Sequence, residues 1–391
     1  MIDPDQLTEH YRRFRVTERI LLTGHSHQAW PDVAFEAQQQ AWLDTAELVD
    51  DVWEVAFEKA NEVRRGFARL LDDVPDRIAL APNTHELVVR FLSALPLRKR
   101  PALITTDGEF HTIRRQLDRL AEEGIEVVKV PAIPAATLAD RLATVVDDRT
   151  AAVLVSAVLY TNAHIVPNLR AVLAACERVG AELLVDAYHA LDAIPFSLKS
   201  EGLERAYVVG GGYKYCQLGG GNAFLRMPPE CALRPVVTGW FSEFAELAEP
   251  PRAGRVSYGA GPARFAGATY DPTSHYRAAE VFDFFEKQGM TPDELRQLSQ
   301  HHVGVLTEGF DSLNADPNVI RRDRSVPPSA VGGFLALRTS RAPQLWGALR
   351  ERGVWTDYRG DMLRLGPAPY LTDQQLRVAI AALGDALQKN P

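Results

Sequence analysis

Apolar residues recur along the chain in two rhythms. Short continuous runs at 77–81, 101–106, 126–130, 151–157, 182–185 and 206–209 are flanked by polar or glycine-rich turns and read as buried strands. Between them apolar positions return every three to four residues, predicting a helix or helix pair over 33–71 and helices from Pro82 through Leu92, on to Glu123, over 136–146 and over 168–179. Strands separated by helices of this length imply parallel pairing with right-handed crossovers, a sheet that binds ligands beyond the carboxyl ends of its strands. From about Ser274 the texture changes to helices at 276–288 and 292–313, a strand at 333–338, a helix at 343–352 and a last helix after Thr372. The expectation is an α/β protein: a large domain over 1–273 with a mainly parallel sheet, and a smaller α+β domain over 274–391. Residues 1–32, with a short strand in 19–22, are free to pack with the small domain. The stretch 246–254 reads as an irregular connector.

Chemistry gathers at the predicted strand ends. The run Ala206 to Val209 leads into Gly210-Gly211-Gly212-Tyr213-Lys214-Tyr215-Cys216-Gln217-Leu218-Gly219-Gly220-Gly221. A lysine held among glycines and apolar residues loses hydration, which lowers its pKa and frees the amine for imine chemistry. A phosphate-binding P-loop would need Ser or Thr after the lysine, where Tyr215 stands, and a dinucleotide fingerprint has no lysine inside it. A glycine-rich surface loop with a solvated lysine is the plain alternative. Upstream, Leu183-Leu184-Val185-Asp186-Ala187-Tyr188-His189 reads as a buried strand ending on a carboxylate. Thr84, Phe110, Asp186 and Lys214 each follow a predicted strand end, which points to one site.

Composition narrows the partners. With 391 residues, 46% hydrophobic and 24% charged, the chain is ordinary for a globular protein with more than one domain. The net charge of −8 comes with no basic tract, so nucleic acid and acidic membrane surfaces are not expected partners. The polar start, Met1-Ile2-Asp3-Pro4-Asp5-Gln6, does not read as a signal peptide, and no apolar run is long enough to span a bilayer. Cys176, Cys216 and Cys231 are odd in number and lack metal spacing, which fits a reduced cytoplasm and structural roles. His25 and His27, in Thr23-Gly24-His25-Ser26-His27, lack further residues at ligand spacing, so a polar substrate-side loop is expected there and no metal.

Strand, Asp-x-x-His, a second strand and Tyr-Lys among glycines resemble the class V branch of the aspartate-aminotransferase fold, and Tyr213-Lys214 with His189 resembles the kynureninase family in particular. That resemblance implies pyridoxal 5'-phosphate, with Lys214 holding the aldehyde and Asp186 keeping the pyridine nitrogen protonated. It places Asn83 and Thr84 at the cofactor phosphate, on a helix N-terminus that favours an anion, against the alternative of an ordinary cap. It puts Phe110 over the ring, His189 and Tyr213 beside the cofactor, and the Trp240 indole on the phosphate; for Phe110 and Trp240 plain core packing is the alternative. Arg264-Phe265-x-x-x-Thr269 resembles the segment that reaches into a neighbouring subunit's phosphate site, which implies a homodimer with shared active sites.

Met362-Leu363-Arg364-Leu365-Gly366-Pro367 resembles the family's Arg-x-x-Pro segment, making Arg364 the clamp for an amino-acid α-carboxylate and a surface salt bridge the alternative. His25 and Ser26 fall on the substrate side, where His25 and His27 depart from the family pattern, as do Ala268 to Pro272. The implied reaction is hydrolysis of the β,γ C–C bond of kynurenine or its 3-hydroxy form to alanine and an aryl acid, with Lys214 as base and Tyr213 as proton donor. Another class V chemistry, a β-lyase or aminotransferase on a different amino acid, is the alternative. A non-catalytic binding protein is the remaining one, disfavoured by the intact Asp186, His189 and Lys214.

Overall fold

A computed structural model describes residues 2–247 and 254–389. The strands in chain order are β1 (Ile20–Leu21), β2 (Ile78–Ala81), β3 (Ala102–Thr106), β4 (Glu126–Val130), β5 (Thr150–Ser156), β6 (Glu182–Asp186), β7 (Tyr207–Gly211), β8 (Ala223–Arg226), β9 (Arg321–Arg322), β10 (Leu335–Arg338), β11 (Val354–Trp355), β12 (Asp357–Arg359) and β13 (Met362–Leu365).

Seven of them form the central sheet in the order β2-β8-β7-β6-β5-β3-β4. All its neighbours pair in parallel except β8, which runs antiparallel to both β7 and β2. β3, β5 and β7 are buried along their whole length, the reason their sequences are continuous apolar runs rather than alternations. Because β8 reverses, β2 still points the same way as β3, β6 and β7, and their carboxyl ends share one edge. The α/β architecture expected from the sequence is the one observed.

Helices cover both faces. The stretch 33–71 is a helix pair, Val33–Leu48 and Val52–Leu71, joined by a single 3-10 turn. Both pack against the helix Thr273–Lys287, which its sequence texture had grouped with the small domain. Helix ends follow local chemistry: Asn83 caps Thr84–Ala94 through its side chain, and Gly180, at φ +70°, ends Leu169–Val179.

A second sheet, β12-β13-β10-β9, is antiparallel and lies with the helices Pro292–Ser312, Ala342–Glu351 and Asp373–Lys389. The N-terminal segment lies beside it: β1 pairs with β11 as a separate two-stranded sheet, and Thr23 bridges to Gly366, just after β13. This carries the His25–His27 turn against the strand that holds Arg364. Of the connector expected at 246–254, all but its first two residues and its last lie outside the described residues. Among the described residues no helix is long and apolar enough to cross a membrane.

Candidate functional site

β7 delivers Lys214 into the cleft through a turn that folds back on itself. Gly212 N–H donates to the Asn222 carbonyl, Leu218 N–H to the Gly212 carbonyl and Gln217 N–H to the Lys214 carbonyl. Glycine is required where the turn packs. A Cβ on Gly212 would lie 2.2 Å from the Leu218 side chain, and Gly219, at φ +69°, has the Trp30 ring 2.6 Å from where its Cβ would be. The glycines therefore serve close packing of the turn as well as access to the lysine.

The lysine is half-buried. Its Nζ lies 2.6 Å from His189 Nε2, 4.6 Å from the centre of the Tyr188 ring and 5.3 Å from that of Phe110. Burial lowers its pKa from 10.5 to about 7; Asp186 and Asp357 pull the value up, and Arg364 and Arg359 push it down. Asp186 closes β6, three residues before His189, and accepts a hydrogen bond at Oδ1 from Tyr188 N–H, 2.9 Å. Burial raises its pKa, against the Tyr188 hydrogen bond and the Lys214 charge. His189 is buried, and its pKa lies well below the ordinary value through burial and the charges of Lys214, His25 and Arg364. A neutral His189 that accepts from the amine at Nε2 carries its proton on Nδ1, and Nδ1 is buried with no hydrogen-bond partner among the described residues.

The small sheet supplies the other wall. Arg364 on β13 sits opposite Asp357 on β12, and the two form a bidentate pair: Nε to Oδ1 at 2.9 Å and Nη2 to Oδ2 at 2.6 Å. Arg364 Nη1 donates to the Tyr160 carbonyl at 2.5 Å, and His25 Nε2 lies 2.7 Å from Asp357 Oδ1. Burial drives His25 down to about 4, so it is neutral near pH 7 and donates to Asp357. Burial alone would raise the Asp357 carboxyl; its bonds to His25 and Arg364 outweigh that and hold it far below the usual range. Arg364 thus belongs to a buried ion pair rather than a surface one. His27 turns to the other side: Nδ1 is 2.6 Å from the Tyr213 hydroxyl, with the rings edge to face. Ser26 Oγ donates to the Thr23 carbonyl and closes the turn.

Lys214, Tyr213, Asp186, His189, Phe110, His25 and Arg364 are thus drawn together by contacts or mutual charge. Asn83, Thr84, Trp240 and Thr269 are not tied to them by any hydrogen bond or ring contact among the described residues. Asn83 Oδ1 accepts from Glu86 N–H, the ordinary cap. Trp240 is 45% exposed and, among the described residues, makes tilted ring contacts with Phe241 and Phe244, which does not place its indole at a phosphate within one chain. Thr269 is exposed and lines a separate cavity of about 990 Å³ whose wall includes Pro82, Glu86, Gly220 and Gly221. Arg264 is occupied within its own chain, donating to the Cys231 and Leu233 carbonyls.

Three residues were not foreseen. Tyr188 lies inside the Asp186-x-x-His189 stretch. Asp357 could have been found from Arg359-Gly360-Asp361-Met362, since a two-residue turn there sets 357 opposite 364. Glu109 is 2% exposed behind Asp186; it accepts from Thr106 Oγ1 (2.6 Å), Ser156 Oγ (2.6 Å) and Ser156 N–H (3.2 Å). Burial raises its pKa to about 7, with Asp186 adding to the rise and the Ser156 and Thr106 hydrogen bonds opposing it.

No family model matches the chain. In sequence it is 26% identical over 382 residues to the uncharacterized aminotransferase YcbU of Bacillus subtilis (strain 168), covering 96% of this chain and 97% of that protein. It is also 26% identical over 350 residues to isopenicillin N epimerase of Streptomyces clavuligerus, 83% of each chain. Its fold matches the C-DES mutant K223A, solved with glycine covalently linked to the PLP cofactor, at a TM-score of 0.83 and 18% identity over 96% of this chain and 98% of that one. It matches the apo cysteine desulfurase of Thermococcus onnurineus NA1 at 0.83 and 15% identity over 100% and 99%. The chain therefore has the fold of these enzymes. The likeness supports the class V aminotransferase-like fold, without singling out the kynureninase branch.

Proposed function

We propose that the protein is a pyridoxal 5'-phosphate enzyme acting on a small amino acid, with chemistry of the aminotransferase or β-lyase kind. The observation that carries this is the Lys214 amine, brought to a pKa of about 7 between the Phe110 and Tyr188 rings and 2.6 Å from His189 Nε2. The residues present fit the cofactor. The unpartnered His189 Nδ1 is a buried donor without an acceptor, and Asp186 uses only Oδ1 among the described residues, so a carboxylate oxygen is left for a protonated pyridine nitrogen. Lys214 would hold the aldehyde, Phe110 and His189 the ring, and the helix N-terminus at Thr84 the phosphate, with backbone N–H groups as donors because Asn83 is spent on its cap.

When bound, pyridoxal phosphate supplies a ring that takes up the charge left as a bond at the α-carbon breaks. The chain's own groups do the rest. Arg364 faces the amine closely enough to depress its pKa, and Nη1, held among the described residues by the Tyr160 carbonyl, is the corner a substrate carboxylate would take. Lys214 Nζ, half deprotonated near neutral pH, moves the α-proton. Tyr213 keeps its phenol protonated, burial raising its pKa, and can give that proton to a substrate carbon. In a homodimer, Thr269 and Trp240 would serve the partner's phosphate site.

C–C hydrolysis of kynurenine is the second reading, favoured by the Tyr213 phenol beside Lys214. The test is a visible absorbance band on adding pyridoxal phosphate, present in the wild type and lost in Lys214→Ala. No band in reconstituted wild type ends the proposal. Product analysis separates the two chemistries: keto acid or pyruvate with ammonia supports the first, and anthranilate fluorescence from kynurenine supports the second.

A further inference from the structure

The turn that carries His25 and His27 sends the two imidazoles to different places, and only His25 is absorbed by the arginine pair. His27 is exposed, yet its backbone is fixed: its N–H donates to the Thr23 carbonyl at 2.8 Å and its carbonyl accepts from Thr23 Oγ1 at 2.9 Å. The turn is anchored to the small sheet by Gly24 N–H on the Gly366 carbonyl. From this mount Nδ1 reaches the Tyr213 hydroxyl at 2.6 Å, with the ring centres 5.0 Å apart and nearly perpendicular. Tyr213 is half-buried, one residue from Lys214. A phenol that has given up its proton must recover one before the next turnover, and a side chain bridging phenol and solvent provides the route.

We infer that His27 is the proton relay for Tyr213, acting through the phenol to resupply the proton that Tyr213 gives to a substrate carbon. This rests on the reading of Tyr213 as proton donor given above. The balance closes with neutral groups at both ends. With the imidazole proton on Nδ1, that proton bonds to the Tyr213 oxygen. As the phenol O–H breaks and its proton goes to carbon, Nδ1–H passes its proton to the oxygen, and Nε2 takes one from water, leaving a hydroxide in solvent that carries the charge the carbon has lost. Exchange with solvent then returns the ring to its starting tautomer. Partial desolvation of the ring against its neighbours lowers the His27 pKa, which favours the neutral imidazole, able to pass a proton in either direction.

Two measurements test this, one of them without cofactor. In cofactor-free protein the near-ultraviolet titration of Tyr213, isolated by subtracting Tyr213→Phe, should shift up by about one pKa unit in His27→Ala, because a donor to the phenolate is gone. An unchanged titration overturns the relay whatever the cofactor does. In holoenzyme, L-alanine in deuterated water should exchange its α-hydrogen through Lys214 and its methyl hydrogens through Tyr213. His27→Ala should lower the ratio of methyl to α exchange about tenfold or more, and added imidazole should restore it. Methyl exchange that persists in His27→Ala but is lost in Tyr213→Phe overturns the inference alone. No exchange at either carbon in wild type overturns the cofactor reading, and the relay with it.

Discussion

The lysine gives the most direct quantitative test. An ordinary lysine with a pKa of 10.5 is deprotonated at pH 7 in roughly 1 molecule in 3,000; at a pKa of about 7 Lys214 is deprotonated in about half. The midpoint of reactivity against pH, rather than the rate at one pH, is the diagnostic, since a less basic amine is also a weaker nucleophile. Competitive acetylation of cofactor-free protein with limiting acetic anhydride, followed by mass spectrometry of the Lys214 peptide from acid to alkaline pH, should give a midpoint near 7. The surface lysines Lys199 and Lys287, raised by their hydrogen-bonded carboxylates Asp72 and Asp283, should titrate far above it. Asp186 opposes the effect of burial by holding a negative charge toward the amine, so Asp186→Asn should move the midpoint further down. A Lys214 midpoint at the surface-lysine value, or a midpoint that rises in Asp186→Asn, would refute the account of the cleft as a desolvated site with one compensating carboxylate.

Glu109 should make stability fall with pH. Its folded pKa of about 7 lies above the unfolded value of 4.5, so the native state binds more protons than the unfolded state across that window; the contribution is full below 4.5 and is lost as pH rises through 7. The shift of 7 − 4.5 corresponds to about 3 kcal/mol, so urea melts should show Glu109→Gln gaining on wild type by up to about that amount between acid and pH 8, and a gap that stays flat with pH would count against it. Asp357→Ala should leave Arg364, 2% exposed, without its counter-charge and cost about 3–5 kcal/mol in the same melts. A loss under about 1 kcal/mol would mean that the pair is no more than an exposed salt bridge.

What the sequence made legible follows from where each interaction lies along the chain. The strands β3, β5, β6 and β7 are apolar runs bounded by turns, and both the sheet and the edge that gathers Lys214, Asp186 and Phe110 could be anticipated from them. β8 escaped because its four residues lie between the glycine-rich turn and Pro228-Pro229, too short a run to announce a strand. β12 escaped because Asp357-Tyr358-Arg359 is polar on a half-buried edge, so no hydrophobic rhythm marks it. Glu109 reads as loop, and only the docking of β5, which brings in Ser156 from 47 residues away, buries it. His27 and Tyr213 meet across 186 residues. The sequence singled out His25 and His27 as departures from a family pattern, but no local signal names their partners.

The charges around the cleft show how such distant contacts combine. Burial pushes Lys214 and His189 down and Asp186 and Glu109 up, in each case toward the neutral form. Asp357 escapes that pressure by pairing bidentately with Arg364 across the β12–β13 hairpin, so the two form a fixed dipole in the site. A ligand carrying a carboxylate then meets an arginine whose charge is already partly answered. It has to win the Nη1 corner from the Tyr160 carbonyl, or compete with Asp357 for the rest of the guanidinium. With Arg364 as the carboxylate clamp proposed above, that competition would weaken ground-state capture of a bare carboxylate and leave discrimination to the part of the substrate nearest Phe110, Tyr188 and Tyr213. On the proposed reading, selectivity would be carried by contacts around the amine as much as by the arginine.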